Sequence, residues 1–468
     1  MAGIGFRLQK LLEGDTYTDV FRAYVYASII SAGPLIFTVA AIALIGVVSR
    51  ENLTLQEQDI LRGLIVYVFA FSLIGVGMVQ LVATRYVADR MFLRDDMSLV
   101  PSFLSVIEFV FIFQAIVALI ALSFSQFSLP MALTVYILYL FVCGIWLSMI
   151  FLSAAYSYKS IVWSFVTGCC VSFVAAFFWG KYSGLMGYLL GFTLGQGLTF
   201  LLLCIRVFVE FGYYHAFDFN FIKYFFRYPA LFGIGVFYYW GIWIDKFVFW
   251  FSDVGRELDP ILYLAPQYDA PIFVAYLTIL PAMSYFLMKM ETQFFVRYQK
   301  YFAGIISRLP LEGVRRLKID MIDNLRDSFQ KVILLQGIVS LMALWAVPWI
   351  IKIVHLNSLQ IGVLRIGILG AFLQGLLLIL MNIYFYFEFY REALWVSIIF
   401  FLLNGILTLL SIKIGLAAYG YGYTGACFLS LIFAYLLLDS RLKDLEYWTF
   451  MTQPIYRPRL QLEAEQSK

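Results

Sequence analysis

Two adjacent charged residues, Asp245 and Lys246, interrupt the apolar and aromatic stretch FYYWGIWIDKFVFWF at residues 237–251. A carboxylate there can bind a proton, a cation or the hydroxyl groups of a sugar. A charge near the centre of a membrane-spanning helix costs about 2.5–3.5 kcal/mol, so it normally faces a water-filled path or a partner. Either Asp245 lines such a path, which we favour, or both charges pair with other helices only for assembly. Because neighbouring helical positions point about 100° apart, we expect the two side chains not to pair simply across one face.

Aromatic side chains surround this pair in the same stretch, namely Tyr238, Tyr239, Trp240 and Trp243. Flat rings stack on the C–H faces of carbohydrates, while nearby carboxylates and amides bond their hydroxyl groups. The same residues are also typical of an aromatic helix that faces lipid or of an interfacial belt. Ring composition alone favours the lipid-facing interpretation.

Other polar residues in apolar stretches are weaker candidates for the same path. Glu108 and Arg365 each lie about a third of the way into such a stretch, and amide side chains occur in several others. Many amides in membrane proteins only form bonds between helices, each worth about 0.6 kcal/mol. The candidates for the substrate path or its coupling are Glu108, Arg365, Gln80, Gln374 and Asn382.

The composition of the chain indicates an integral membrane protein. Of its 468 residues, 63% are hydrophobic and only 13% are charged, against about 45–50% and 25% in soluble domains. Continuous apolar runs long enough to span a bilayer favour helices over a barrel. We predict an all-α protein with twelve transmembrane helices. They cover residues 24–48, 63–83, 102–124, 131–153, 161–179, 184–209, 231–251, 272–290, 329–351, 363–387, 393–415 and 423–438.

Lys and Arg are concentrated in the loops on the same side as the termini, which predicts that both termini are cytoplasmic. The net charge of +4 therefore reflects topology and contacts with lipid headgroups rather than nucleic acid. The long loop 291–328 has helical amphipathic spacing, and it either lies on the membrane or docks a partner. The predicted parts are an amphipathic cytoplasmic segment 1–23, a six-helix lobe 24–209, an inter-lobe loop 210–230, a second lobe 231–438 containing that long loop, and a cytoplasmic tail 439–468.

A weak internal repeat links the two halves. MVQLVATRY ends in Arg85 and Tyr86, and METQFFVRY ends in Arg297 and Tyr298, each at the cytoplasmic exit of the second helix of its half. Each pair is either functional or an anchor at the membrane interface.

Gly33 and Pro34 interrupt the first apolar run. Since proline removes a backbone hydrogen bond and clashes with the preceding turn, we expect a kink there. That kink is either a hinge or passive.

Motifs of soluble chemistry are absent from the sequence: it has no P-loop, no G-x-S-x-G, no H-E-x-x-H and no Asp-x-Asp. His215 and His355 fall on opposite sides of the predicted membrane, so we expect no metal site and no cofactor. An enzyme remains an alternative, because loop 252–271 holds four acidic residues that could serve a membrane polymerase or ligase: Asp253, Glu257, Asp259 and Asp269.

The opening MAGIGFRLQKLLEGDTYTDVFRAYVYASIISAGPLIFT, the segment METQFFVRYQKYF and the twelve-helix plan resemble the PelG family of Pel exopolysaccharide transporters. The resemblance extends over nearly the whole chain. That family is grouped with the polysaccharide transporters of the MATE-like flippase superfamily. The resemblance implies two six-helix lobes around a central cavity, with the first and seventh helices bent where the lobes meet. It also implies an inner-membrane complex with PelD, PelE and the cytosolic glycosyltransferase PelF.

The implied activity is export to the periplasm of a polymer rich in N-acetylated amino sugar. A flippase for a lipid-linked oligosaccharide is an alternative. Such flippases tend to carry several cavity arginines, whereas only Arg365 lies within the helices of the second half here. A scaffold that only assembles partners is a further alternative.

Overall fold

The computed structural model describes residues 17–155, 157–212, 216–354 and 356–451. Most of the predicted segment 1–23, both histidines and the tail beyond residue 451 lie outside the described residues. Long helices dominate the described part of the chain, which confirms the all-helical class. The helices are α1 Tyr17–Ser49, α2 Leu55–Phe92, α3 Leu99–Ser123, α4 Leu129–Ala154, α5 Tyr158–Phe211, α6 Phe221–Arg227, α7 Pro229–Trp250, α8 Pro266–Leu277, α9 Leu280–Lys289, α10 Phe295–Ile306, α11 Leu311–Val354, α12 Gln360–Tyr386, α13 Tyr390–Ile414, α14 Tyr421–Lys443 and α15 Leu445–Met451.

All twelve predicted apolar runs lie within helices, with at most one residue beyond a helix end, apart from a break at residues 278–279 between α8 and α9. Several helices are longer than the predicted run, for example Leu311–Val354 against 329–351. Within the described residues, nine helices are long and apolar enough to cross a membrane, and the Gly33–Ser49 part of α1 is a shorter apolar helical segment. The aromatic helix α7 is not among these nine, and α5 counts once despite its break. The number of crossings therefore stays a prediction.

Helix α5 is two helices joined at Gly184, whose φ of 54° and ψ of −135° break the helical path. Its two arms then pack closely through glycines. A Cβ on Gly191 would lie 2.2 Å from the backbone of Ala176, and one on Gly195 would lie 1.9 Å from Ser172 Oγ. Small residues let membrane helices approach in this way.

A short antiparallel hairpin follows α7, and the sequence analysis did not predict it. Strand β1 covers Arg256–Asp259 and pairs with β2, Leu262–Leu264. The strands lie in loop 252–271, which the Lys and Arg bias predicts to be external. A short open hairpin fits such a position, because within hydrocarbon only helices or closed barrels satisfy every backbone group.

The buried apolar side chains form two large clusters, one mainly from residues 41–221 and the other mainly from residues 231–445. We call residues 17–211 the N-terminal half and residues 229–443 the C-terminal half. The halves meet where α2 packs on α7 and where α1 packs on α9. The division into two six-helix lobes at residues 209–231 stays a prediction.

Candidate functional site

Asp245 and Lys246 form a direct ion pair within α7. The Lys246 ammonium donates to both carboxylate oxygens, at 3.0 and 2.9 Å, and to the Ile242 carbonyl at 3.1 Å. The expectation that the two side chains would not pair was wrong. A lysine side chain is long enough to bend along its helix, so the angle between neighbouring positions does not keep Nζ from the carboxylate.

Tyrosines from two other helices contact this ion pair. Tyr268 of α8 donates to Asp245 Oδ2 at 2.7 Å, and Tyr276 of α8 lies 3.1 Å from Lys246 Nζ. The ammonium also lies 5.9 Å from the ring centre of Tyr423 on α14. Asp245 is 0% exposed, and the partners named here belong to the C-terminal half. The pair therefore connects α7 to α8 and α14, and the role of Asp245 in a water-filled path stays a prediction.

Helices α2 and α7 are in tight contact along their length. A Cβ on Gly235 would lie 2.2 Å from the Gly77 carbonyl oxygen, so the two backbones touch. One turn along α7, the Tyr239 hydroxyl donates to Gln80 Oε1 at 3.0 Å. Two stacked ring pairs continue the interface, Phe71 with Phe247 at 5.5 Å and Tyr67 with Trp250 at 4.5 Å between centroids. The interface between the halves is closed here, with an aromatic lining.

Replacing Gly77 by leucine should destabilise the protein by about 1–3 kcal/mol, the usual cost of overpacking. A Cβ at this position would come within 2.1 Å of the Tyr239 ring. The measurement is the thermal midpoint of the detergent-solubilised protein. Gly337→Leu is the matched control, because a Cβ there would meet no atom within 4 Å apart from its own stretch of helix. Equal midpoints for the two variants would contradict the tight contact.

The β-hairpin joins the halves at one end of this interface, which the Lys and Arg bias predicts to be the external end. The Tyr67 hydroxyl donates to the Tyr263 carbonyl and accepts from the Tyr263 amide, both at 2.9 Å. Arg256 pairs with Asp59 at 3.3 Å. A Cβ on Gly63 would lie 3.1 Å from Leu262 Cδ1. The hairpin thus holds the external ends of the two halves together.

Two of the acidic residues proposed for an enzyme support this external region. Asp259 accepts from the Gln126 amide at 2.9 Å. Asp269 accepts from Trp250 Nε1 at 2.8 Å and from the Ala265 amide at 3.0 Å. These carboxylates hold backbone and ring N–H groups in place.

Arg85 joins the halves at the opposite end of the interface, which the Lys and Arg bias predicts to be the cytoplasmic end. It pairs with Asp89 on its own helix at 3.2 Å and with Glu388 in the turn after α12. Its guanidinium also donates to the Tyr390 hydroxyl at 3.1 Å and lies 5.4 Å from the Tyr228 ring centre. Glu388 adopts a positive φ of 57°, which is uncommon for a residue other than glycine. The first copy of the repeat therefore makes a contact between the halves.

Tyr86 anchors the loop that links the halves. Its buried hydroxyl donates to Asp218 at 2.7 Å and accepts from Ser102 at 3.1 Å. Burial raises the pKa of Asp218, but hydrogen bonds from Tyr86 and Asn220 and the charge of Arg90 together hold that pKa below its ordinary value. The carboxylate therefore stays ionised as an acceptor.

The second copy of the repeat reaches the same turn from the C-terminal half. Arg297 pairs with Asp320 of α11 at 3.2 Å, while the Tyr298 ring lies 6.1 Å from that of Phe387. Both copies therefore meet at the turn 387–389.

Under the export activity that the PelG resemblance implies, replacing Arg85 by glutamine should lower export several-fold with little change in stability, because the state that is closed at this end would be less populated. The pair is partly exposed, and such pairs contribute about 0.2–1 kcal/mol. A change of 1 kcal/mol alters the ratio of two conformations about fivefold. Glu388→Gln should lower export to the same extent. The double variant Arg85→Gln, Glu388→Gln should export as much polymer as either single variant. The measurement is the amount of exported polymer. Lys331→Gln removes an ion pair within α11 and should leave export unchanged. A double variant whose loss of export equals the sum of the two single losses would contradict a direct contact between Arg85 and Glu388.

The remaining candidates are dispersed. Glu108 and Arg365 are exposed on α3 and α12. Gln374 accepts from Tyr423, and Asn382 donates to the Leu378 carbonyl of its own helix. None of these four joins the contacts between α2 and α7 described above.

The other predicted aromatic residues of α7 also do not share one site. Tyr238 packs on Phe400 of α13, and Trp240 packs on Phe247 of its own helix. The Trp243 ring centre lies 5.6 Å from Lys246 Nζ, but its own N–H is buried with no hydrogen-bond partner among the described residues. Of the four aromatics predicted from the sequence, Tyr239 is the one seen bonded across α2 and α7.

Helix α1 continues through Gly33 and Pro34. The Thr38 hydroxyl donates to the Pro34 carbonyl at 2.8 Å, the ordinary bond of a helical threonine to the residue four positions earlier. The hinge role of this pair stays a prediction.

Sequence reasoning missed several contributors: Tyr67, Tyr268, Tyr276, Glu388 and Tyr423. In the sequence these residues differ from their surroundings only in carrying a polar atom within or beside an apolar run. Among the described residues, no group of three or more His, Cys, Asp or Glu side chains could hold a metal ion. Two surface pockets of about 490 and 300 Å³ lie elsewhere, on α5 and between α11 and α14.

The sequence model of PelG, described as "Putative exopolysaccharide Exporter (EPS-E)", matches residues 1–450. The chain belongs to the PelG family. No curated protein matches it. The PelG family and the fold together indicate a multi-pass membrane transporter for exopolysaccharide export rather than an enzyme.

Solved MATE transporters have a similar fold. An outward-facing multidrug resistance MATE family transporter of the MOP superfamily is 14% identical, with a TM-score of 0.63, covering 94% of this chain and 98% of that one. A MATE in complex with MaL6 is 12% identical, with a TM-score of 0.64 and coverages of 94% and 99%. A MOP superfamily transporter from Pyrococcus furiosus is 13% identical, with a TM-score of 0.57 and coverages of 93% and 98%. The MATE-like fold expected from the resemblance is confirmed.

Proposed function

We propose that this protein moves nascent Pel-type polymer, rich in amino sugar, across the bacterial inner membrane along a path between its halves. The observation that carries the proposal is the PelG family match over residues 1–450. The halves are also joined by contacts beyond both ends of the packed α2–α7 interface. These are Arg85 with Glu388 inside and the β-hairpin outside.

Opening of the α2–α7 interface would expose the aromatic rings that now line it. Tyr67, Phe71, Tyr239, Phe247 and Trp250 present flat faces, and such faces can stack on sugar rings. Because each sugar offers the same kind of C–H face, a row of rings suits a polymer that slides. The interface is closed in this structure, so passage requires α2 and α7 to separate.

The Asp245–Lys246 pair keeps α7 attached to the rest of the C-terminal half during this movement. Its hydrogen bonds run to Tyr268 and Tyr276 of α8. A buried pair is costly to break, whereas the partly exposed Arg85–Glu388 contact is cheap to break. The weaker contact should therefore separate first.

The inner-membrane location, cytoplasmic termini and partners belong to this proposal. The location follows from the family, and the orientation follows from the Lys and Arg bias between loops. PelD, PelE and the cytosolic glycosyltransferase PelF would deliver the growing chain. A lipid-linked substrate gains no support, because the one arginine within the predicted second-half helices, Arg365, is exposed on α12.

The test uses host cells with and without the chain, given a short pulse of labelled amino sugar. We expect labelled polymer outside complemented cells, and labelled polymer retained on the cytoplasmic side when the chain is depleted. Depletion that abolishes labelled polymer in both compartments, with the partner proteins at normal abundance, would point to a polymerase and contradict the proposal.

A further inference from the structure

The helical pair α10–α11 extends well beyond the membrane. Phe294, just before α10, packs on Tyr386 and Phe387 beside the cytoplasmic turn. Ile306 ends α10, beside the start of α11. Helix α11 is continuous over 44 residues, about 66 Å at 1.5 Å per residue, whereas a bilayer with its headgroups is about 40–45 Å thick. The end of this pair therefore extends beyond the lipid surface, on the side that the Lys and Arg bias predicts to be cytosolic.

The two helices are held together by a packed inner face. Tyr301 of α10 and Val314 and Met321 of α11 are buried. A Cβ on Gly304 would lie 2.7 Å from Leu317 Cδ1, so the helices approach closely there. Because α10 and α11 are packed together, the turn that joins them has a defined position relative to both helices.

Apolar side chains are exposed at that end. Ile306 is 82% exposed, Leu311 55% and Leu309 44%. Residues 306–311, which we call the tip, join α10 to α11. Clustered apolar side chains in water are typical of a surface that contacts another protein.

Unpaired arginines flank the tip. The side chains of Arg308 and Arg315 are exposed, and neither has a hydrogen-bond or ion-pair partner within the part of the chain that the structure describes. Arg308 also has a φ of 56°, in the turn where the Leu309 amide bonds the Gly304 carbonyl at 3.0 Å. Glycine is favoured at such a position.

We propose that the tip docks a soluble cytosolic protein whose surface offers an apolar groove edged with carboxylates. The apolar residues Ile306, Leu309 and Leu311 fill the groove, and Arg308 and Arg315 pair with the carboxylates. A lipid surface is too far from the tip to be the occupant. This inference goes beyond export itself and does not depend on which polymer is moved.

The test is thiol protection in inside-out vesicles prepared from the native host. Ile306→Cys is labelled with a membrane-impermeant maleimide before and after salt and urea washes remove peripheral proteins. We expect slow labelling in unwashed vesicles and fast labelling after washing. Met97→Cys is the matched control, because Met97 is exposed at another cytoplasmic turn and should be labelled quickly in both. The parent chain with its five native cysteines gives the background.

Equal, fast labelling of Ile306→Cys in both preparations would overturn the proposal, since nothing soluble would cover the tip. Slow labelling in both would also overturn it, because lipid or this chain itself would be the cover. A second variant adds Arg308→Gly and Arg315→Glu to Ile306→Cys. Glycine suits the φ of 56°, so folding should be retained while protection in unwashed vesicles is lost. Slow labelling of this variant in unwashed vesicles would contradict the proposed pairing of Arg308 and Arg315 with carboxylates of the partner.

Discussion

Replacing Asp245 by asparagine should lower the free energy of unfolding by about 3–5 kcal/mol, the usual cost of removing one partner of a buried ion pair. Lys246 would remain 7% exposed without the carboxylate that neutralises it. The measurement is the thermal midpoint and the membrane abundance of the variant. Asp59→Asn breaks the exposed pair with Arg256 and should change stability by less than about 1 kcal/mol.

The double variant Asp245→Leu, Lys246→Met should recover most of the lost stability, because replacing a whole buried pair by apolar residues is often neutral or stabilising. Under the proposed function it should also export polymer, since the pair only holds α7 to its neighbours. A stable double variant that fails to export would contradict this. It would instead place the carboxylate on the path or its coupling, as the sequence predicts.

A disulfide between the β-hairpin and α2 should stop export. A Cβ at residue 63 would lie 3.1 Å from Leu262 Cδ1, so Gly63→Cys and Leu262→Cys place two thiols that face each other. A disulfide needs the two Cβ atoms about 3.5–4.5 Å apart, and its formation is checked first by the loss of free thiols on oxidation. Oxidation should reduce exported polymer to the level of cells without the chain, and a reductant should restore it. The reason is that the external ends of the halves could no longer separate.

The control for this experiment is a similar cross-link within one half. A Cβ on Gly425 would lie 3.4 Å from Leu407 Cδ1, and both residues belong to the C-terminal half. Gly425→Cys, Leu407→Cys should therefore form a disulfide and keep exporting. Normal export through the oxidised Gly63–Leu262 variant would show that the path does not need these ends to part.

Sequence alone predicts the helices well, because an apolar run in a bilayer must satisfy its backbone internally. It could also single out Asp245 and Lys246, since a charge in such a run is costly. It could not find their partners. Tyr268 is 23 residues from Asp245 and Tyr276 is 30 from Lys246, and nothing in their spacing indicates a shared site.

The contacts between the halves were harder still to predict. Arg85 and Glu388 are 303 residues apart, and Tyr67 and Tyr263 are 196 apart. The repeat drew attention to Arg85 but gave no partner. The hairpin has only seven residues in its two strands, too few for an alternating pattern to emerge. Such contacts depend on how helices pack, which a single sequence does not specify.

The most direct test of export between the halves uses inside-out vesicles from the native host, supplied with nucleotide-activated amino sugar. New polymer is then assigned to the lumen or the outside by its sensitivity to added glycoside hydrolase. We predict lumenal, protected polymer with the parent chain. With the oxidised Gly63→Cys, Leu262→Cys chain, we predict polymer that stays outside and sensitive. Protected polymer in vesicles that lack this chain would contradict the account.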